Sequence, residues 1–116
     1  MNAVQRETSR EKGYAKVWFE SEKIPGYLRD FSSKGCRIEL TDRFSADPGK
    51  KCKIRIITEE IIGIGPIRGT LEIRWVKKEE LFTVVGSRLL SVKDEESKEN
   101  FKSLLVYYSR FREKKN

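Results

Sequence analysis

Residues 27–40 read YLRDFSSKGCRIEL, and this stretch decides the fold. Its two extended runs are separated by the polar segment at residues 32–35, and in the second run apolar side chains alternate with charged ones. Alternation with a period of two is typical of a half-buried strand, and a short Ser- and Gly-rich segment between two such runs indicates a turn. The stretch therefore predicts a β-hairpin whose second strand has Cys36 and Ile38 facing inward and Arg37 facing outward.

Four further runs with strand character surround this hairpin. One precedes it at residues 14–20, and three follow it at residues 51–57, 67–76 and 81–90. The dipeptide Pro25-Gly26 predicts a turn between the first run and the hairpin, because proline and glycine are the strongest turn signals. Together with the two strands of the hairpin, the runs predict six short strands.

The last two strands each carry a residue of interest. In the run at residues 67–76, the spacing places four apolar residues on one face: Ile67, Leu71, Ile73 and Trp75. The final run contains Gly86, and a glycine inside a strand indicates a bulge or a close approach of another group to the backbone.

The C-terminal segment has a helical period. Its apolar residues recur at spacings of three and four: Phe101, Leu104, Leu105, Tyr108 and Phe111. Asp94 is suited to cap the N-terminus, so a helix is predicted over about residues 94–112. Six strands and one amphipathic helix predict an all-β domain, a closed or nearly closed antiparallel barrel with the helix over one opening. The barrel with its helix is expected over residues 14–116, preceded by a flexible basic arm at residues 1–13.

Composition restricts the kinds of partner. The chain has 116 residues, which fits one domain, and its formal net charge of +7 favours anionic partners such as nucleotides or nucleic acid. No apolar run is long enough to cross a bilayer, and the first residues do not resemble a signal peptide. We therefore expect a cytoplasmic protein that does not insert into a membrane.

The sequence offers little for catalysis or metal binding. It contains no histidine, and its two cysteines, Cys36 and Cys52, are not close enough in sequence for a CxxC motif. Without histidine there is no Ser/His or Cys/His pair and no common zinc ligand set. The protein is thus expected not to be an enzyme and to hold no metal or cofactor, and the two cysteines are predicted to be buried free thiols.

Two short motifs remain to be explained. Arg6 and Arg10 form an RxxxR pattern in the arm, and Asp30, Ser32 and Gly35 form a DxSxxG pattern in the hairpin turn. In this order, and with six strands and a terminal helix, the two motifs resemble those of the PilZ family, whose members are cyclic di-GMP receptors built as six-stranded barrels. The resemblance extends over nearly the whole chain and implies that these five residues bind cyclic di-GMP.

Physical chemistry supports such roles. The arginine guanidinium can pair with phosphate, take guanine O6 and N7, or stack on a base. The Asp30 carboxylate complements the donor edge of guanine, Ser32 adds a hydroxyl, and Gly35 lets the backbone approach closely. Two further residues are assigned to ligand contact by resemblance: Trp75, which could stack on guanine or fill the barrel core, and Gln5, whose position in the family influences ligand stoichiometry. Without the arm, Asp30, Ser32 and Gly35 are also explained as ordinary turn residues.

These observations lead to three hypotheses. The first is a cyclic di-GMP receptor that signals to a downstream protein partner by ordering its arm. The second, less favoured, is a small β-barrel that binds single-stranded nucleic acid through Tyr14, Trp18 and Trp75. The third is a ligand-free PilZ-like module that contacts another protein through the apolar connection with Ile61, Ile62 and Ile64.

Overall fold

The computed structural model describes residues 15–41 and 44–115, with side chains described as far as Arg110. The predicted arm lies outside these residues, and so do Gln5, Arg6, Arg10 and the side chain of Phe111. The elements of the described part, in chain order, are β1 (Ala15–Phe19), β2 (Ile24–Ser32), β3 (Gly35–Leu40), β4 (Lys51–Thr58), a 3₁₀ turn (Glu60–Ile62), β5 (Ile67–Lys78), β6 (Thr83–Val92) and α1 (Glu95–Lys115).

The strands close into a barrel in the order β1-β2-β3-β6-β5-β4, and every pair of neighbours is antiparallel. The predicted six-stranded barrel with one C-terminal helix is therefore confirmed. Closure leaves no unpaired edge strand within this sheet. The inward side chains are almost all apolar; the largest fully buried ones include Phe19, Phe31, Ile38, Leu40, Ile54 and Leu71. Both cysteines are buried and free, as predicted.

Helix α1 covers one opening of the barrel. Leu104 is fully buried in the core, and the ring of Phe101 packs edge-on against Phe31 with centroids 5.4 Å apart. The predicted apolar face of the helix is thus confirmed as far as Tyr108. The helix begins where the sequence predicts, since the Ser97 backbone N–H donates a 2.7 Å hydrogen bond to Oδ1 of Asp94.

The predicted turn at Pro25-Gly26 is wrong. Both residues lie within β2, and the chain turns earlier, at residues 20–23, where Lys23 has a left-handed φ of 58°. Pro25 is opposite Trp18 of β1, and pairing with β3 starts only at Tyr27, so its missing N–H costs no hydrogen bond to β3. Gly26 is required by packing, because a Cβ there would lie only 2.6 Å from Cγ2 of Ile38.

The prediction that four apolar residues share one face of β5 is wrong for Trp75. Ile73 is opposite Ser87 and Trp75 is opposite Gly86, so β5 advances two residues while β6 advances one. This bulge reverses the direction of the next side chain. Ile67, Leu71 and Ile73 are buried as predicted, whereas Trp75 is 42% exposed on the outer surface.

The isoleucine-rich connection is less exposed than its sequence indicates. Ile61 is 89% exposed, but Ile62 is half-buried and Ile64 packs against the core. Among the described residues, no helix is long and apolar enough to cross a membrane.

Candidate ligand groove

An open groove of about 740 Å³ lies on the outer surface of the barrel, beside the β2–β3 hairpin. Its walls come from four neighbouring strands, β2, β3, β6 and β5. Three of the residues predicted from the DxSxxG motif line it, and so does Trp75; these residues are Asp30, Ser32, Gly35 and Trp75. The fold therefore brings together four predicted site residues that are up to 45 positions apart (75 minus 30) in the sequence.

The central part of the groove is one row of residues that crosses the four strands. Asp30 on β2 is opposite Arg37 on β3, Arg37 is opposite Gly86 on β6, and Gly86 is opposite Trp75 on β5. Neighbouring strands are about 4.8 Å apart, so the row is roughly 14 Å long. It presents, in order, a carboxylate, a guanidinium, bare backbone and an indole.

Asp30 and Arg37 form an ion pair within this row. Nη2 of Arg37 lies 3.4 Å from Oδ2 of Asp30, and the two side chains are 53% and 40% exposed. Exposed pairs of this kind contribute at most about 1 kcal/mol to stability. The pair therefore orients two charged groups at the groove rather than holding the barrel together.

The hairpin turn has the local hydrogen bonds of a tight connection. The Lys34 backbone N–H donates to Oγ of Ser32 at 3.2 Å, and this hydroxyl donates to the Gly35 carbonyl at 3.3 Å. Gly35 has a positive φ of 157° and no room for a side chain, since a Cβ would overlap the carbonyl oxygen of Ser87. The turn geometry thus explains both residues, and both also line the groove.

A glycine inside a strand predicts the close approach of another group, and at Gly86 this group is the indole of Trp75. A Cβ on Gly86 would overlap the indole ring of Trp75, at Cε2 and Nε1. The indole therefore lies across the bare backbone of β6, at the opposite end of the row from Asp30. An exposed indole in this position is available for stacking with a planar ligand.

Basic residues dominate the charge of the groove. Four line it, Lys34, Arg37, Arg74 and Arg88, whereas Asp30 is the one carboxylate among the lining residues that the structure describes. Arg74 also lies 3.8 Å from Glu72 at the rim. Sequence reasoning did not assign these basic residues to the site. The outward position of Arg37 beside Asp30 was a usable signal, but the approach of Arg74 and Arg88 depends on strand pairing.

The floor of the groove is neutral. Sγ of Cys36 and Oγ of Ser87 are 3.1 Å apart, and the Ser87 hydroxyl also donates to the Cys36 carbonyl at 3.2 Å. Burial raises the pKa of the Cys36 thiol to about 11, so the nucleophilic thiolate is scarce at neutral pH. In the described part of the chain, no group of three His, Cys, Asp or Glu residues could hold a metal ion. With basic residues and an exposed indole around this neutral floor, the groove is suited to bind an anion with planar parts.

Comparison with known proteins agrees with this architecture. The family model of the PilZ domain matches residues 5–107, a range that includes both arginines of the RxxxR motif, and the chain belongs to this family. PilZ domains are non-catalytic receptors, which confirms that the protein is not an enzyme, and they typically bind cyclic di-GMP.

A solved structure, the PilZ domain with c-di-GMP of YcgR from Escherichia coli, has the same fold. The TM-score is 0.64 at 12% sequence identity, and the alignment covers 89% of this chain and 86% of that chain. No curated protein matches the chain.

Proposed function

We propose that this protein is a receptor for cyclic di-GMP, which it holds between the groove and the N-terminal arm. The observation that carries the proposal is the row from Asp30 to Trp75, with the rest of the DxSxxG motif beside it. Family membership and the similarity to a PilZ domain solved with c-di-GMP point to the same ligand.

The ligand and the groove are chemically complementary. Cyclic di-GMP has two phosphates and two guanines, and each guanine has a donor edge and two stacking faces. The Asp30 carboxylate accepts hydrogen bonds from the N1 and N2 donors of one guanine. The basic residues of the groove balance the phosphates, and the Trp75 indole provides a stacking surface. A ligand of this kind uses every chemical feature of the row.

The arm begins close enough to contribute its two arginines. Ala15 is opposite Leu28, and β1 runs antiparallel to β2, so Ala15 is the residue of β1 that lies nearest the β2–β3 hairpin. From Leu28 to Ser32 is roughly 13 Å along the strand. Five residues from Ala15 back to Arg10 reach up to roughly 17 Å, and nine back to Arg6 reach roughly 30 Å. Both arginines can therefore reach a ligand in the groove.

Signal transmission follows if the ligand bridges the arm and the barrel. We infer that binding orders residues 1–13 over the groove and changes the surface offered to a downstream protein partner. Amide hydrogen exchange tests this inference directly. Exchange within residues 1–13 should slow at saturating cyclic di-GMP, and equal exchange with and without ligand would exclude ordering of the arm as the signal.

Isothermal titration tests the receptor function itself. Purified protein should bind cyclic di-GMP saturably, and Arg10→Ala and Asp30→Ala should each weaken binding by at least tenfold, since charge-assisted hydrogen bonds contribute roughly 1.5–3 kcal/mol. Arg29→Ala is a matched control, because Arg29 pairs with Glu39 across the same two strands as Arg37 and Asp30, but does not line the groove. Absence of heat with the unaltered protein would refute the proposal.

One observation favours a second function, the binding of single-stranded nucleic acid. The outer face of β1 and β4 carries exposed Lys16 and Lys53 and half-buried Arg55, next to the half-buried Trp18. Basic groups beside an aromatic ring suit a single strand. This function predicts that a short oligonucleotide binds with steep salt dependence and that Arg10→Ala with intact Lys53 and Arg55 still binds it.

A further inference from the structure

We propose that Arg37 is a specificity-determining residue of the groove, one that pairs with Asp30 in the free protein and stacks beneath a guanine when cyclic di-GMP is bound. This inference rests on the proposed function. Arg37 lies outside both sequence motifs. We assign it two successive partners, the Asp30 carboxylate in the free protein and a guanine in the complex.

The free-state partner is fixed by the sheet register. Asp30 and Arg37 are directly opposite on β2 and β3, and their charged groups are 3.4 Å apart. The Asp30 carboxylate is also the group that would accept hydrogen bonds from the donor edge of a guanine. A ligand must therefore replace the ion pair with the guanidinium by hydrogen bonds from its own donors. The N1–H and N2–H₂ groups of guanine do this, whereas adenine presents an acceptor at N1 and lacks the N2 donors.

The bound-state partner follows from the dimensions of the row. Arg37 lies between Asp30 and Gly86, and two strand spacings amount to roughly 9.6 Å. A purine with its donor edge at Asp30 and its plane along the sheet would therefore lie above Arg37, with its far end toward the Trp75 indole. The guanidinium is planar and stacks on bases, which the ammonium group of lysine does poorly. Arg37 is 53% exposed, so it has the freedom to move from one partner to the other.

The neighbouring basic residues do not have this geometry. Arg74 sits in the bulge of β5, outside the paired row, and lies 3.8 Å from Glu72. Lys34 belongs to the hairpin turn and has no planar group. Arg37 alone among the four described basic residues of the groove is in register with both Asp30 and Trp75.

The test compares Arg37→Lys and Arg37→Ala with the unaltered full chain by isothermal titration with cyclic di-GMP and with cyclic di-AMP. Arg37→Lys keeps the charge and removes the planar group. We expect it to weaken cyclic di-GMP binding by about tenfold, and Arg37→Ala by at least as much. Because the unaltered protein uses Arg37 to penalise ligands without a donor edge, the preference for cyclic di-GMP over cyclic di-AMP should also fall in Arg37→Ala.

Controls separate the outcomes. Arg29→Lys and Arg29→Ala alter the neighbouring ion pair across the same strands and should change affinity less than twofold. Unchanged melting temperatures for the Arg37 variants would exclude misfolding as the cause of weak binding. If the unaltered protein binds and Arg37→Lys binds equally well, the inference is wrong and the proposed function stands. If the unaltered protein does not bind cyclic di-GMP, both are wrong.

Discussion

Gly86 and Trp75 together determine the shape of one end of the groove. Because Gly86 has no side chain, the indole lies against the backbone of β6 at this position, and the bulge in β5 turns the indole outward. A tryptophan on an apolar-looking strand is predicted to be core because the sequence does not reveal a one-residue bulge. The indole lines the groove, and the alternative assignment, ligand contact, stays a prediction.

The substitution Gly86→Ala should displace the indole and leave the barrel folded. Its methyl group would occupy the space of the Trp75 ring, which can rotate into solvent because it is already 42% exposed. We expect weaker cyclic di-GMP binding, by about tenfold, from loss of one stacking surface. Titration of Trp75→Ala alone and together with Gly86→Ala provides the check. If Gly86→Ala weakens binding further when Trp75 is already absent, the glycine acts by another route.

The Cys36 thiol should make stability depend on pH in the alkaline range. Burial raises the pKa of this thiol from 9.0 to about 11. Between these two pH values the folded protein keeps a proton that the unfolded chain has released. The contribution is complete below about pH 9 and is lost between pH 9 and pH 11, on the order of 2–3 kcal/mol. Urea unfolding at pH 8 and pH 10.5 measures the loss. Cys36→Ala should show a smaller decrease over the same interval; an equal decrease would assign the effect to other groups.

At the scale of elements, the helix was predictable and one turn was not. Helix α1 has a cap at Asp94 and an apolar repeat, two signals that are local in sequence and agree with each other. Pro25-Gly26 is also a strong local signal, yet these residues lie within β2 because Gly26 has to pass close to Ile38 of β3. A glycine needed for tertiary packing cannot be distinguished from a turn glycine by the sequence of its own segment.

Helix α1 should contribute much of its stabilisation through one residue. Leu104 is fully buried against the barrel core, and removal of a buried leucine side chain costs about 2–5 kcal/mol. We expect Leu104→Ala to lower the free energy of unfolding in urea by this amount. Val106 lies on the same helix and is 51% exposed, so Val106→Ala should change the free energy of unfolding by less than about 0.5 kcal/mol. Since alanine has the highest helix propensity, a loss in Leu104→Ala reports lost packing, and little or no loss would mean that docking of this side chain does not stabilise the fold.

At the scale of the whole molecule, the pairing of strands that are distant in sequence is the reason that the candidate site could be predicted only in part. Asp30, Ser32 and Gly35 lie in one β-hairpin within six residues of sequence, so a short motif predicts them together. Arg37 is two residues away from Gly35, and strand alternation predicts that it faces outward, but its row with Gly86 and Trp75 forms only when the barrel closes. The arginines of the arm lie outside the described residues, and their role stays a prediction.

The barrel also separates two basic surfaces that net charge alone cannot distinguish. One is the groove on β2, β3, β6 and β5; the other is the outer face of β1 and β4, with Lys53 and Arg55. A nonspecific anion would contact both surfaces in proportion to their charge. A receptor for cyclic di-GMP would use only the groove.

The most direct measurement is therefore the change in backbone amide and indole NMR signals of the full chain as cyclic di-GMP is added. Binding in the groove should produce the largest changes at residues 33–37, at Gly86 and at the Trp75 indole N–H, with little change at Lys53 and Arg55. Changes centred on β1 and β4, or none at saturating ligand, would contradict the assignment of the groove as the binding site.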